Sequence, residues 1–319
     1  MHTKSEDFNG TIRGIRLRVQ ALKRQPKPKW IRSRFPTLKN YGQLKSVLKT
    51  QGLHTVCTEA LCPNQTECWE SRTATFMLLG TLCTRRCNFC DVMSGHPHQA
   101  LNPEEPEKVA QAVSELGLRY VVLTSVTRDD LSDGGASHLS HCIQAIRHAN
   151  PQTRIEILIP DFQGDLKAIQ TIIDSKPDVI GHNVETTEVL TPKVRDRRFT
   201  FHQSLFVLDS LKAMNPHQLT KSSIMLGLGE TDEQILATLR ALRDVKVDIV
   251  TLGQYLQPSS HHMRVVEYIT PIKFEFWKQV ALELDFLAVI SGPLVRSSYR
   301  ASKLFVEHYL KTKRMPGEV

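Results

Sequence analysis

A chain of 319 residues is long enough for one large domain with extensions, or for two small domains. Its 40% hydrophobic and 23% charged residues are those of an ordinary globular protein, and no run approaches the roughly 18 apolar residues needed to cross a bilayer. The N-terminus lacks the apolar core of a secretory signal. A reducing setting is therefore expected, the cytoplasm in preference to an organelle matrix, in which clustered cysteines read as metal ligands rather than disulfides.

In chain order, the first feature is charge. Residues 1–50 carry 13 Lys and Arg against Glu6 and Asp7, a local +11; the whole chain carries +8, which leaves −3 for the rest. Such an arm is either solvated or an electrostatic surface for an acidic partner. Its few aromatics (Phe8, Trp30, Phe35, Tyr41) argue against a base-stacking platform. QPKPKWIRSRFP, with three prolines, reads as an extended strap.

Six of the seven cysteines follow in two triplets: Cys57, Cys62 and Cys68, then Cys83, Cys87 and Cys90 in CTRRCNFC. Each triplet is one thiolate short of the four that saturate a zinc ion or a cubane iron–sulfur cluster, which leaves one metal corner open. Soft thiolates suit either metal centre, but zinc sites usually arrive as paired knuckles and no second knuckle follows Cys90. A 4Fe–4S cluster is the preferred reading. Thr84, Arg85 and Arg86 are expected as donors near its sulfides, with Phe89 shielding one face.

From Thr75 onward the chain alternates strand and helix patterns with a period of about 30 residues. Strands are expected at Thr75–Leu82, Tyr120–Thr124, Arg154–Ile159, Val179–Val184, Ser223–Leu228 and Val247–Leu252, with a short one near Phe286–Ile290. Helices are expected at Pro106–Leu116, Ala136–Ala149, Asp165–Asp174, Phe201–Met214, Asp232–Arg243 and Pro271–Leu284. This rhythm implies an α/β fold with a parallel sheet, either doubly wound or an open, partial (β/α) barrel. CTRRCNFC, TSVTRDDLSDGG, PDFQG, HNVET, GLGET and GQYLQP each follow a strand, so one face collects the ligands, acids, amides and glycines.

CxxxCxxC after the first strand resembles the radical S-adenosylmethionine superfamily. CTEALCPNQTECW, GTLCTRRCNFC, DDLSDGGASH, IPDFQG, HNVET, GLGET, GQYLQPS and GPLVRSSYRA resemble the lipoyl synthase family within it, from about Lys27 to Ala301. The resemblance implies a partial (β/α)6 TIM-like barrel at 75–290. A basic N-terminal extension at 1–74 would carry the first triplet, and a C-terminal extension at 291–319 would carry RSSY. It also implies two 4Fe–4S clusters and S-adenosylmethionine. The cofactor binds at Cys83, Cys87 and Cys90, and its reductive cleavage gives a 5′-deoxyadenosyl radical that takes hydrogen from carbons 6 and 8 of a protein-bound octanoyl chain. Cys57, Cys62 and Cys68 would hold an auxiliary cluster that gives up its sulfur, with a serine of RSSY as fourth ligand, Ser298 in preference to Ser297. An alkoxide is a harder donor than a thiolate, which suits a cluster that must come apart.

By the same resemblance Asn183 and Glu185 face the ribose, Thr124 and Ser125 the methionyl group, and Gly227 and Gly229 let backbone approach the cofactor. Ordinary turn chemistry is the alternative at each. Glu156 divides between a pocket acid and a satisfied core acid. Cys142 reads as a small buried hydrophobe. His138, His141 and His148 fall on the same helix, facing surface or core, and His261 and His262 follow QPSS in a loop, read as surface in preference to bordering the entrance. Asp129, Asp130 and Asp133 read as an N-cap and turn. Glu70-Ser71-Arg72, Thr81 and Thr127 depart from the family pattern without removing a ligand. The implied partners are octanoylated carriers (lipoyl domains of 2-oxoacid dehydrogenases, the glycine cleavage H protein), an electron donor such as ferredoxin or flavodoxin, and an iron–sulfur carrier. Nucleic acid and membrane are not expected. The competing readings are a biotin synthase-like enzyme and a metal-stapled nucleic-acid binder.

Overall fold

The computed structural model describes residues 26–31, 38–59, 62, 64–70, 73–98 and 100–299. Most of the basic arm, the second half of the proline strap and the chain beyond Tyr299 lie outside the described residues. Of the strap, residues 26–31 end in a turn in which Ile31 N–H donates to the Pro28 carbonyl at 3.0 Å.

The strands are β1 (His54–Thr55), β2 (Thr75–Leu78), β3 (Tyr120–Ser125), β4 (Arg154–Leu158), β5 (Val179–Gly181), β6 (Leu219–Leu226), β7 (Ile249–Gln254) and β8 (Ala288–Gly292). Three helices, α1 (Leu38–Gln51), α2 (Val56–Glu59) and α3 (Gln65–Glu70), precede β2. They are followed by α4 (Glu105–Glu115), α5 (Ala136–Ala149), α6 (Leu166–Asp174), α7 (Thr191–Val194), α8 (Phe201–Met214), α9 (Asp232–Asp244) and α10 (Pro271–Glu283). Helix starts follow their sequence signals. Asp165, Thr200 and Thr270 cap α6, α8 and α10 through their side chains, and Thr231 with Gln234 forms a capping box on α9.

All eight strands form one sheet in the order β1 to β8, with β1 antiparallel to β2 and β2 to β8 mutually parallel. A strictly sequential order contains no point at which the winding reverses, which excludes the doubly wound alternative. Val121, Leu123, Ile155, Ile157 and Ile180 pack with the apolar stripes of α4, α5 and α6, and Ile224, Leu226, Val250 and Leu252 with those of α8, α9 and α10. The alternate residues Tyr120, Val122, Val179, Ile249 and Ala288 form a separate cluster on the other face. With helices on that one face, the sheet is an open barrel whose lumen is lined by the second set.

Some bounds differ from expectation. The first strand stops at Leu78 because Leu79 (φ 67) and Gly80 (φ 95) turn left-handed. The strained Leu79 is held on both sides: its N–H donates to Glu105 Oε2 at 3.1 Å and its carbonyl accepts from Arg128 Nη1 at 3.2 Å. The fifth expected strand starts earlier, at Leu219, and ends before Gly227 (φ 98).

Candidate active site at the carboxyl ends of the strands

The second cysteine triplet lies in the loop that follows β2, over the ends of β3 and β5. Cys83, Cys87 and Cys90 are free and partly exposed. Two of their sulfurs accept backbone N–H groups, Cys83 Sγ from Thr127 at 3.4 Å and Cys87 Sγ from Asp196 at 3.3 Å. Such donors to sulfur are a standard means of tuning an iron–sulfur site. Burial pushes the Cys87 thiol up to about 11 and the Cys90 thiol up to about 12, with the neighbouring thiols adding to it. Three cysteines in one short loop at the strand ends, two with N–H groups aimed at sulfur, have the donor set of a site-differentiated cluster.

The residues between these cysteines do not act as expected. Arg85 does not serve as a sulfide donor. Its guanidinium is 2% exposed and gives Nε and Nη2 to Asp129 (2.7–3.2 Å) and Nη1 and Nη2 to the fully buried Asp161 (2.8 Å each), over the face of Phe199 at 4.0 Å. Burial alone would lower its pKa, but the two carboxylates outweigh burial and raise it. Thr84 Oγ1 likewise donates to Asp129 and to the Thr127 carbonyl, and Arg86 N–H donates to Asp196. Arg198 ties Asp196, Asp129 and the Thr84 carbonyl together. Asp129 is therefore an anchor of the cysteine loop and not a helix cap; Asp130 pairs with Arg128. Asp133 does act in the turn, accepting from Gly135 and Ser137 N–H.

From β5 and β7 the loop is held again. Asn88 N–H and Nδ2 donate to the Val194 and Lys193 carbonyls. His262 Nε2 meets the Cys90 carbonyl at 3.0 Å, so this residue belongs to the site edge and not to a free surface loop; His261 remains exposed. Phe89 packs with Val194, Leu228, Tyr255 and Met263.

Four expected cofactor contacts reach the same face. Thr124 and Ser125 end β3, and the buried Ser125 Oγ has no hydrogen-bond partner. Asn183 Nδ2 donates to Glu185 Oε1 at 3.0 Å. Glu185 takes a left-handed φ of 67, and burial raises its pKa against the pull of Arg195 and Asn183. Arg195 is the residue that sequence reasoning missed. It is buried, stacks on Phe199 at 4.2 Å, interacts with Glu185 and Cys87, and leaves its Nε without a partner. Its only signal in the sequence was a charge run, RDRRF, after a strand. Gly227 and Gly229 divide: a Cβ at Gly227 would strike Gln254 and the Glu267 carbonyl, a packing demand, whereas Gly229 faces only Val266.

Glu156 proves to be a satisfied core acid. It accepts from Lys221 Nζ and Tyr120 Oη at 2.7 Å each inside the barrel. Cys142 is fully buried, as expected. Glu105, His138 and Cys142 are a group of three metal-type ligand atoms lying within 4.8 Å of one another among the described residues. There Glu105 Oε2 is taken by His138 Nε2 at 2.8 Å and by Leu79 N–H.

The first triplet sits beside the open edge. Cys57 is buried on α2, and Cys68 lies on α3. Cys62 N–H donates to the Cys57 carbonyl (3.1 Å), Gln65 N–H to that of Cys62 (3.2 Å) and Cys68 N–H to that of Asn64 (2.9 Å), so the backbone winds tightly through the triplet. The residues after β8 close over them. Asn64 Nδ2 donates to the Leu294 carbonyl, Tyr299 Oη to Glu67 at 3.0 and 3.1 Å, and Arg296 interacts electrostatically with Cys62. Ser297 and Ser298 are carried between those fastenings. The segment after β8 needs Gly253, since a Cβ there would collide with the Val295 carbonyl. Gly253→Ala is therefore expected to push the Val295 backbone away and lower stability by about 1–3 kcal/mol, read as a lower urea midpoint; an unchanged midpoint would contradict this.

An open barrel with three thiols at the end of its first parallel strand defines a radical S-adenosylmethionine protein, and residues 77–242 match the Radical SAM superfamily. Solved structures agree on the fold. Methylornithine synthase superposes with a TM-score of 0.53 at 14% identity, covering 87% of this chain and 94% of that one. The FeFe-hydrogenase maturase of Carboxydothermus hydrogenoformans gives 0.51 at 16%, covering 77% and 63%. Residues 3–62 match the N-terminal domain of lipoyl synthase. The mitochondrial lipoyl synthase of Aspergillus clavatus is 52% identical over 292 residues, 90% of this chain and 70% of that protein. That of Saccharomyces cerevisiae is 52% identical over 293 residues, 90% and 71%. The chain belongs to the lipoyl synthase family. Membership of the superfamily implies a 4Fe–4S cluster and S-adenosylmethionine. The relatives' mitochondrial location overturns the cytoplasmic expectation. That expectation rested on signal-peptide composition, which does not distinguish the cytoplasm from an organelle matrix.

Proposed function

We propose that this chain is a lipoyl synthase, inserting sulfur at carbons 6 and 8 of an octanoyl group on a carrier-protein lysine. The observation that carries the reading is two separate thiol triplets flanking one open barrel mouth, the second fixed by Asp129, Asp161 and Asp196 and the first closed by the RSSY segment. When bound, the two clusters supply the electron for sulfonium cleavage and the sulfur that is inserted.

The chain's own residues do the positioning. Cys83, Cys87 and Cys90 hold the first cluster with one iron open. Thr124, Ser125, Asn183, Glu185 and the orphaned Nε of Arg195 orient the cofactor's polar groups. Cys57, Cys62, Cys68 and Ser298 hold the auxiliary cluster. The chain accordingly divides into an extension at 1–74, a barrel at 75–290 and a closing segment at 291–319. Octanoylated lipoyl domains or H protein are the carriers, with the basic arm drawing in their acidic faces. A ferredoxin or flavodoxin gives electrons, and an iron–sulfur carrier rebuilds the auxiliary cluster.

The test is anaerobic reconstitution with S-adenosylmethionine, dithionite and an octanoylated carrier, read by mass spectrometry. Cys83→Ala is expected to form no 5′-deoxyadenosine. Cys62→Ala is expected to form it and yield no lipoyl group. Two inserted sulfurs from the Cys62→Ala protein would refute the assignment.

A further inference from the structure

One set of side chains in the helical layer carries ligand chemistry that sulfur insertion does not use. On α5, His138 and Cys142 stand one turn apart and share a face of the helix. Glu105, the first residue of α4, meets them across the helix pair. One ligand atom from each, a carboxylate oxygen, an imidazole nitrogen and Sγ, lies within 4.8 Å of the other two. Around a tetrahedral ion the same atoms stand about 3.3–3.6 Å apart, given bonds of about 2.0–2.1 Å to nitrogen and oxygen and about 2.3 Å to sulfur. The trio is thus nearly closed before any ion enters. It is also withdrawn from water: the Glu105 and His138 side chains are 12% and 10% exposed, and Cys142 is fully buried. The carboxylate's bonds to His138 Nε2 (2.8 Å) and from Leu79 N–H (3.1 Å) both use Oε2, so Oε1 is left to ligate. Burial first, then Glu105 and Glu107, hold the Cys142 thiol well above its ordinary pKa, so the surroundings favour a cation.

We propose that Glu105, His138 and Cys142 form a binding site for a divalent metal ion of the zinc class, with water as fourth ligand. A thiolate and an imidazole exclude magnesium and calcium, which take oxygen ligands. On binding, Cys142 releases its thiol proton to solvent, the imidazole carries its proton on Nδ1 and bonds through Nε2, and Glu105 bonds as the carboxylate. Two anionic ligands then cancel the charge of the ion, as a buried site requires. The ion clamps the first turns of α4 and α5 together and, through Glu105, steadies the left-handed turn at Leu79, four residues before Cys83. Its role is structural, and the proposal stands independently of the lipoyl synthase reading.

The experiment dialyses the full chain anaerobically against zinc chloride in a chelator buffer that fixes free zinc. Bound zinc is then counted by plasma mass spectrometry in the parent, Cys142→Ala and His138→Gln. The other six cysteines contribute equally to all three proteins, so the difference reports this site alone. The parent is expected to hold about one zinc per chain more than either variant, each having lost about a hundredfold in affinity here. Zinc is also expected to raise the urea midpoint of the parent and not that of the variants. Equal zinc in all three overturns the proposal. Loss confined to one variant overturns it as well, because the trio is then not the ligand set. Glu105→Gln, whose amide oxygen can still accept from Leu79 N–H, decides the outcome if either other variant fails to fold. Failure to form 5′-deoxyadenosine in the same preparations counts against the enzyme reading and leaves the zinc count unchanged.

Discussion

Replacing Arg85 by Met is expected to lower the stability of the cluster-free protein by about 3–5 kcal/mol, the usual consequence of stripping one partner from a buried ionic network. The guanidinium lies between two carboxylates, one of them fully buried, and gives hydrogen bonds to both. Without it Asp161 and Asp129 face each other in a site with little water, and either one takes up a proton or the loop swings out. Lys cannot reproduce a planar fork that serves two carboxylates at once, so Arg85→Lys should recover only part of the loss. Arg85→Met combined with Asp161→Asn should be less harmful than Arg85→Met alone, because the remaining Asp129 then has no like charge beside it. Urea unfolding of the four proteins decides this. A loss below about 1 kcal/mol for Arg85→Met would mean that the network contributes little.

The second large effect is acid sensitivity from His182. This residue is buried at the end of β5. Its Nδ1–H donates to the Ile159 carbonyl at 3.0 Å, and its Nε2 accepts from Ser204 Oγ at 3.0 Å, which in turn accepts from Arg195 at 2.7 Å. That chain of bonds suits a neutral ring. Burial first, and the Arg195 charge second, lower its pKa to about 4 from the ordinary 6.5. The unfolded chain takes up the proton below pH 6.5 while the folded one resists until about pH 4. The stabilising contribution is thus complete above pH 6.5 and erodes as pH falls toward 4, by about 3 kcal/mol over the window. His182→Gln, which carries no titrating group, should be less stable at pH 7 but show a flatter decline from pH 6.5 to 4. Parallel urea midpoints for the two proteins across that range would contradict this assignment.

The strand–helix alternation was legible because each repeat writes its own periodicity, and β3, α5, α6 and α8 fall within a residue of where apolar spacing puts them. The break at Leu79 was not, since a leucine carries no mark of a left-handed turn; what holds it there are Glu105 and Arg128, 26 and 49 residues away. Both cysteine triplets stand out in the sequence by spacing alone. The acids that anchor the second were visible only as turn-formers, because Asp129 and Asp161 meet Arg85 across 44 and 76 residues. Arg195 and Arg296 were hidden for a related reason. An arginine in a loop is ordinarily solvated, and only packing shows that Arg195 is buried against Phe199 and that Arg296 turns back onto the Gln254 carbonyl. His262 was misread likewise, since the Cys90 carbonyl it meets is 172 positions earlier.

The two sites also differ in when a growing chain can complete them. Most of the hydrogen bonds that fasten the Cys83–Cys90 loop come from before residue 199, with His262 and Met263 added later. The bonds that close the Cys57–Cys68 site span 230 and 232 residues. Synthesis from the N-terminus therefore makes the earliest cysteines wait for the last described turn. During that interval the three thiols lack the segment that closes over them. A truncation just short of Tyr299 should spare the barrel and leave that first-made triplet permanently unsealed.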